Sequence, residues 1–201
     1  MTAAGATPKR LLALQVVPGR VLEVDTADGR VRTLVEDAGD FPDGVVTVDG
    51  AVYWTTMGTP DVDPGTPGEG GYDFSRRNGG VHAWNPGGPR RDLVPAGART
   101  TGKQPTSDGA GALYRCDREG HRISRVRTDG SGLTDLVVTP AAEGITGECV
   151  GIAIDTAAGL AYVADLDGHI REVPLPDGPV AGRAPREVAA LGTPLTGLCL
   201  P

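Results

Sequence analysis

The chain states one pattern three times, and that repetition constrains its fold more than any single residue does. The copies are DFPDGVVTVDGAVYWTTMG at 40–58, GKQPTSDGAGALYRCDREG at 102–120 and GECVGIAIDTAAGLAYVADLDG at 147–168. Each joins an alternating apolar stretch, a turn and a second stretch centred on a tyrosine: Tyr53, Tyr114 or Tyr162. One such unit cannot bury its own apolar faces, so neighbouring units must stack. Two more strands follow each copy. His121–Arg127 and Leu133–Val138 flank a glycine-containing hairpin, and 170–175 and 186–191 repeat the arrangement. Residues 21–25 and 31–35 supply the same back half near the N-terminus.

Four antiparallel strands per unit of roughly 40–45 residues predict the blades of a small all-β propeller. Gly 31 and Pro 17, nearly a quarter of the 201 residues, suit short strands and tight turns. Complete blades are expected at 40–96, 97–143 and 144–192, with three strands of another at 11–37. The tail 194–200 reads like a first strand. Docked beside Leu11–Gln15, it would close a four-blade ring without a free edge. The rival is a six-blade ring shortened by two blades. Residues 1–9 are expected to be a disordered tail preceding a single domain at 10–201.

The segment LYRCDREGHRISRVRTDGSGLTDLVV resembles the YWTD repeat of low-density-lipoprotein-receptor propellers, with Tyr114, Asp117, Ile123, Arg125 and Asp129-Gly130-Ser131 in place. VYWTTMG at 52–58 and AYVADLDGHIREVPL at 161–175 are weaker copies. The same general pattern occurs in gluconolactonase-like and strictosidine-synthase-like propellers. The first of these resemblances implies a divalent cation such as calcium on acidic residues, acting as Lewis acid. Glu148 and Asp43 are the positions that could hold it, although the early glutamate of that family has no counterpart in 10–15. The second implies a channel glutamate working without metal. It is the preferred reading, with no cofactor and with Glu148 as the acid–base group.

Aligning the copies on Gly44, Gln104, Gly151 and Gly197 stacks Asp43, Lys103, Val150 and Thr196 at one level around the channel, with Glu148 just above. Charges converging on a concave volume favour acid–base chemistry or ligand binding. Asp43, Lys103 and Glu148, with His121 between Asp117 and Glu119, are therefore the catalytic candidates. The insertion at 58–80 is too long for a strand link and predicts a lid. Its Tyr72, Arg76 and Arg77, together with Trp54, Gln104 and Thr196, are the candidate ligand contacts.

A net charge of −7 without a basic stripe argues against nucleic acid and anionic membranes. Three cysteines without CxxC spacing fit buried thiols and a cytoplasmic setting. Ala/Gly/Arg/Asp-rich usage resembles that of a high-GC bacterium. The expectation is a small-molecule enzyme of secondary metabolism, a cyclase or lactonase-type hydrolase, monomeric or homodimeric. The alternative is a binding propeller without turnover.

Overall fold

The computed structural model describes residues 9–139 and 147–201. The expected disordered N-terminal tail falls almost wholly outside the described residues. Alternation of apolar and polar residues folds the chain into short antiparallel strands. β1 (Arg10–Gln15), β2 (Arg20–Asp25) and β3 (Val31–Val35) form a three-stranded sheet. The second blade runs from β4 (Pro42–Val48) and β5 (Ala51–Thr56) to β8 (Gly79–Trp84) and β9 (Arg90–Arg99). Between β5 and β8 the lid segment carries its own ribbon, β6 (Asp61–Val62) paired with β7 (Tyr72–Asp73). The third blade is β10 (Pro105–Ser107), β11 (Ala112–Asp117), β12 (Arg122–Arg127) and β13 (Thr134–Val138). The fourth is β14 (Cys149–Asp155), β15 (Leu160–Asp165), β16 (His169–Pro174) and β17 (Arg186–Ala190).

Three apolar cores lie between successive sheets. Val21 and Val35 meet Val52 and Trp54 between the first and second blades. Tyr53, Val81 and Val94 meet Leu113 and Val126 between the second and third. Tyr114, Cys116 and Ile123 meet Cys149, Ile152 and Val163 between the third and fourth. Successive side chains of a strand point to opposite faces, so Tyr53 and Trp54 enter different cores. Trp54 is 0% exposed and donates its indole N–H to the Ala38 carbonyl at 2.8 Å. The expectation that it contacts a ligand is therefore corrected: it is an inter-blade core residue.

The first strands of the blades approach closely at glycines. A Cβ on Gly44 would lie 2.2 Å from Pro105 Cδ and 2.7 Å from Gln104 Cα. One on Gly151 would lie 2.9 Å from the Gly197 carbonyl carbon. The tail lies against β14 at this point, and the first strand expected at 194–200 is not formed. Its expected pairing with β1 is not formed, and the first sheet has three strands. The tail's recorded neighbour is β14, where glycine meets glycine. Tyr162 is only half-buried, whereas its counterparts Tyr53 and Tyr114 are covered by the following blade.

Candidate functional site

The channel mouth is assembled by backbone constraints on three neighbouring strands. Thr55 Oγ donates to the Lys103 carbonyl at 3.0 Å, and the Lys103 amide donates to the Cys116 carbonyl at 3.0 Å. These bonds set the Lys103 side chain beside β4, where its Nζ donates to Asp43 Oδ2 at 2.9 Å. A second contact of that ammonium is the Met57 sulfur at 3.1 Å, a poor acceptor for a charged donor. The Lys103 side chain is only 13% exposed. It is a desolvated ammonium with hydrogen-bonding capacity to spare.

Phe41, two residues before Asp43, has φ 50°, a left-handed conformation that a bulky residue rarely adopts. That backbone turns its ring into the mouth. The ring packs edge-on against Tyr72 at 5.4 Å and Phe74 at 5.2 Å between centroids. The lid is tied down around these rings. Asn78 Nδ2 donates to the Thr59 carbonyl at 2.9 Å, Arg77 Nη2 to the Ala98 carbonyl at 2.8 Å, and Thr59 Oγ to Asp40. Beneath it lies a cavity of about 450 Å³, lined among others by Phe41, Asp43, Met57, Tyr72, Phe74 and Lys103. That volume is within the usual range for small-molecule sites. A second cavity of about 310 Å³ adjoins it and is lined by Asp43, Lys103, Arg118, Val150, Leu166 and Thr196.

The four residues expected at one channel level, Asp43, Lys103, Val150 and Thr196, do share one wall. Tyr72 of the inserted segment lines the first cavity. Other candidates lie elsewhere. Glu148 is exposed in the turn before β14 and lines neither cavity, because the strand turns inward only at buried Cys149. Gln104 lines a separate groove with the tail. Arg76 pairs with Asp61 of the lid's own ribbon, its Nε at 2.8 Å from Oδ2, and Arg77 spends its charge on β9. His121 occupies the β11–β12 turn with φ 47° and lines neither cavity. Arg118 is the residue that sequence reasoning missed. It sits in the short turn after β11 and lines both cavities. A lone arginine in a DREG turn carries no signal of that role.

The divalent-cation alternative does not fit these residues. Asp43 is engaged by Lys103, Glu148 stands outside, and no three His, Cys, Asp or Glu side chains converge among the described residues.

No family model matches the chain. A low-density lipoprotein receptor-related protein 1 of Pyricularia oryzae is 34% identical over 156 residues, covering 72% of this chain and 46% of that protein. A 3-hydroxyacyl-CoA dehydrogenase-like protein of Cochliobolus heterostrophus is 33% identical over 124 residues, or 60% of this chain and 23% of its own length. The chain thus spans less than half of either relative. Among solved structures, a chain of the nidogen–laminin complex superposes with a TM-score of 0.70 at 16% identity, over 96% of this chain and 64% of that one. A gluconolactonase from Xanthomonas campestris gives 0.67 at 19% identity, over 96% and 62%.

The chain has a β-propeller fold, shared with these solved structures. Within this propeller the lid-covered mouth is the place where charge, apolar surface and a cavity coincide. The repeated Tyr-x-x-Asp position explains why the mouth lies over the second blade. Asp117 and Asp165 close short turns in the third and fourth blades with backbone hydrogen bonds. The second blade has Thr56 there and accommodates the lid instead.

Proposed function

We propose that this propeller processes a small molecule at its lidded channel mouth by metal-free acid–base chemistry, with lactone-type hydrolysis the reaction class that fits best. Asp43 is the proton-transferring group and Lys103 the electrostatic stabiliser. The observation that carries this reading is the Asp43–Lys103 pair at 2.9 Å in the wall of both cavities, beneath an aromatic roof. A substrate carbonyl oxygen that takes the weakly used direction of the ammonium, now spent on Met57, would have its developing negative charge stabilised in a partly dry site. Asp43 would accept a proton from the attacking water. The acyl C–O bond would then break as Asp43 returns that proton to the leaving alkoxide oxygen, and the ring-opened hydroxy acid would leave with its carboxylate, its own proton lost to water, beside Lys103. The gluconolactonase neighbour is compatible with this class at the level of fold. The acid–base role expected of Glu148 passes to Asp43, because only Asp43 lines the cavities.

Binding without turnover is the second reading, favoured by the receptor-related relative. The discriminating experiment is a proton-release assay over a panel of aliphatic and aryl lactones. Wild type should release acid, and Asp43→Asn, with its circular dichroism unchanged, should be slower by about 100-fold or more. Turnover that survives in Asp43→Asn would overturn the assignment of Asp43. No turnover by wild type with any lactone would overturn the enzyme reading in favour of binding.

A further inference from the structure

The mouth offers two cationic donors with unused capacity next to a wall of aromatic rings. Lys103 Nζ spends one direction on Asp43 and another on a thioether. Arg118 pairs its Nη2 with Glu119 at 2.6 Å, while its Nε is buried without a hydrogen-bond partner. A buried charged donor left short of acceptors is costly, and a ligand oxygen would relieve that cost. Both residues line both cavities. Over them stand Phe41, Tyr72 and Phe74, mutually edge-on with centroids 5.2, 5.4 and 6.1 Å apart. Phe74 is 7% exposed although it belongs to the lid, so the roof is packed. Edge-on rings present apolar faces and edges against which a flat ring packs well.

We infer that the ligand of this site is a small planar carboxylic acid, an aryl or heteroaryl acid or the lactone that opens to one, rather than a polyhydroxylated sugar acid. Its flat body packs under the three rings and against Met57. Its carboxylate bridges Lys103 and Arg118, replacing the thioether contact and supplying the acceptor that Arg118 Nε lacks. A sugar acid would leave its hydroxyls against Phe41, Phe74 and Met57, where they find no partners. This inference rests on the proposed site at the mouth and sharpens it to a ligand class.

The test is calorimetric titration of the full chain with three probes: phenylacetate, phenylacetamide and gluconate. Phenylacetate should bind at least ten-fold more tightly than phenylacetamide, and gluconate more weakly than either. Lys103→Met should erase the preference for the acid, weakening phenylacetate by at least ten-fold more than phenylacetamide. Phe74→Ala should weaken both aromatic probes, with the melting temperature reporting that the fold is intact. Equal affinity for acid and amide would overturn the carboxylate assignment. Gluconate binding without phenylacetate would overturn the ligand class and leave the site standing. No binding of any probe would overturn both.

Discussion

The second and third blades are built from the same repeat and diverge at one position. In the third, Asp117 is 0% exposed, and its carboxylate accepts from the amides of Thr100, Thr101 and Gly120 at 3.1, 2.8 and 2.9 Å. Arg115 and Arg122 stand nearby at 3.9 and 3.7 Å. Three backbone donors converging on one carboxylate clamp the turn between β11 and β12, and burial of the pair raises the stakes of keeping it whole. In the second blade Thr56 occupies that position. Its hydroxyl meets His82 Nε2 at 3.0 Å, and His82 Nδ1 meets Asp92 at 2.7 Å. The Gly80 amide donates to the same hydroxyl at 3.1 Å. The network has moved away from the turn and down onto β8, so the turn is free to grow into a lid. A fully caged charge is structural, whereas the sparsely coordinated Lys103 one strand away faces a cavity.

The largest effect expected from this contrast is in the third blade. Asp117→Ala strips three amides and the Thr101 hydroxyl of their acceptor, removes the nearby countercharge of two arginines, and should cost about 3–5 kcal/mol in urea denaturation. A loss below about 1 kcal/mol would show that the turn does not depend on the carboxylate.

The His82 network predicts a pH dependence of intermediate size. Burial is the main influence on its imidazole and pulls the pKa below the ordinary value of 6.5, against the opposing pull of the Asp92 hydrogen bond. The unfolded chain therefore takes up a proton at a higher pH than the folded one. The associated stability is fully present above about pH 6.5 and is lost as pH falls below it, with a slope of at most about 1.4 kcal/mol per pH unit. Comparing denaturation midpoints of wild type and His82→Gln between pH 5 and 7.5 isolates this contribution. Parallel curves for the two proteins would remove it.

The smallest effect belongs to the lid. Arg76→Ala breaks an exposed pair with Asp61 and should change stability by less than about 1 kcal/mol. Lid-proximal hydrogen exchange should rise while exchange in β8 and β9 stays unchanged. Equal acceleration throughout the blade would show that the ribbon supports the sheet beneath it.

Much of the architecture is legible in the sequence. The repeat predicts Val31–Val35 with its observed bounds and β12, β13, β16 and β17 to within a residue or two, and the four-residue channel level follows from aligning glycines that the close inner-strand contacts require. Alternation and tight turns are local signals, and a repeat multiplies them. Pairing partners of long side chains are decided at a distance. Arg76 and Arg77 were free in the sequence to reach the mouth, yet the two-stranded ribbon directs one to Asp61 and the other to Ala98. Glu148 lies one residue before the strand turns inward, and Arg118 lines the cavities from the turn that Asp117 holds through the Gly120 amide.

By itself, the sequence determined three four-stranded antiparallel blades after a three-stranded sheet, a long insertion at 58–80 and the level at which Asp43 and Lys103 meet. These follow from periodicity, which acts over a few residues. The tertiary structure alone decided that Trp54 is core, that the tail lies along β14 rather than β1, and which charges the cavity keeps. Those outcomes depend on which surfaces meet across blades, where burial and unmet hydrogen-bonding capacity are properties of the assembled whole.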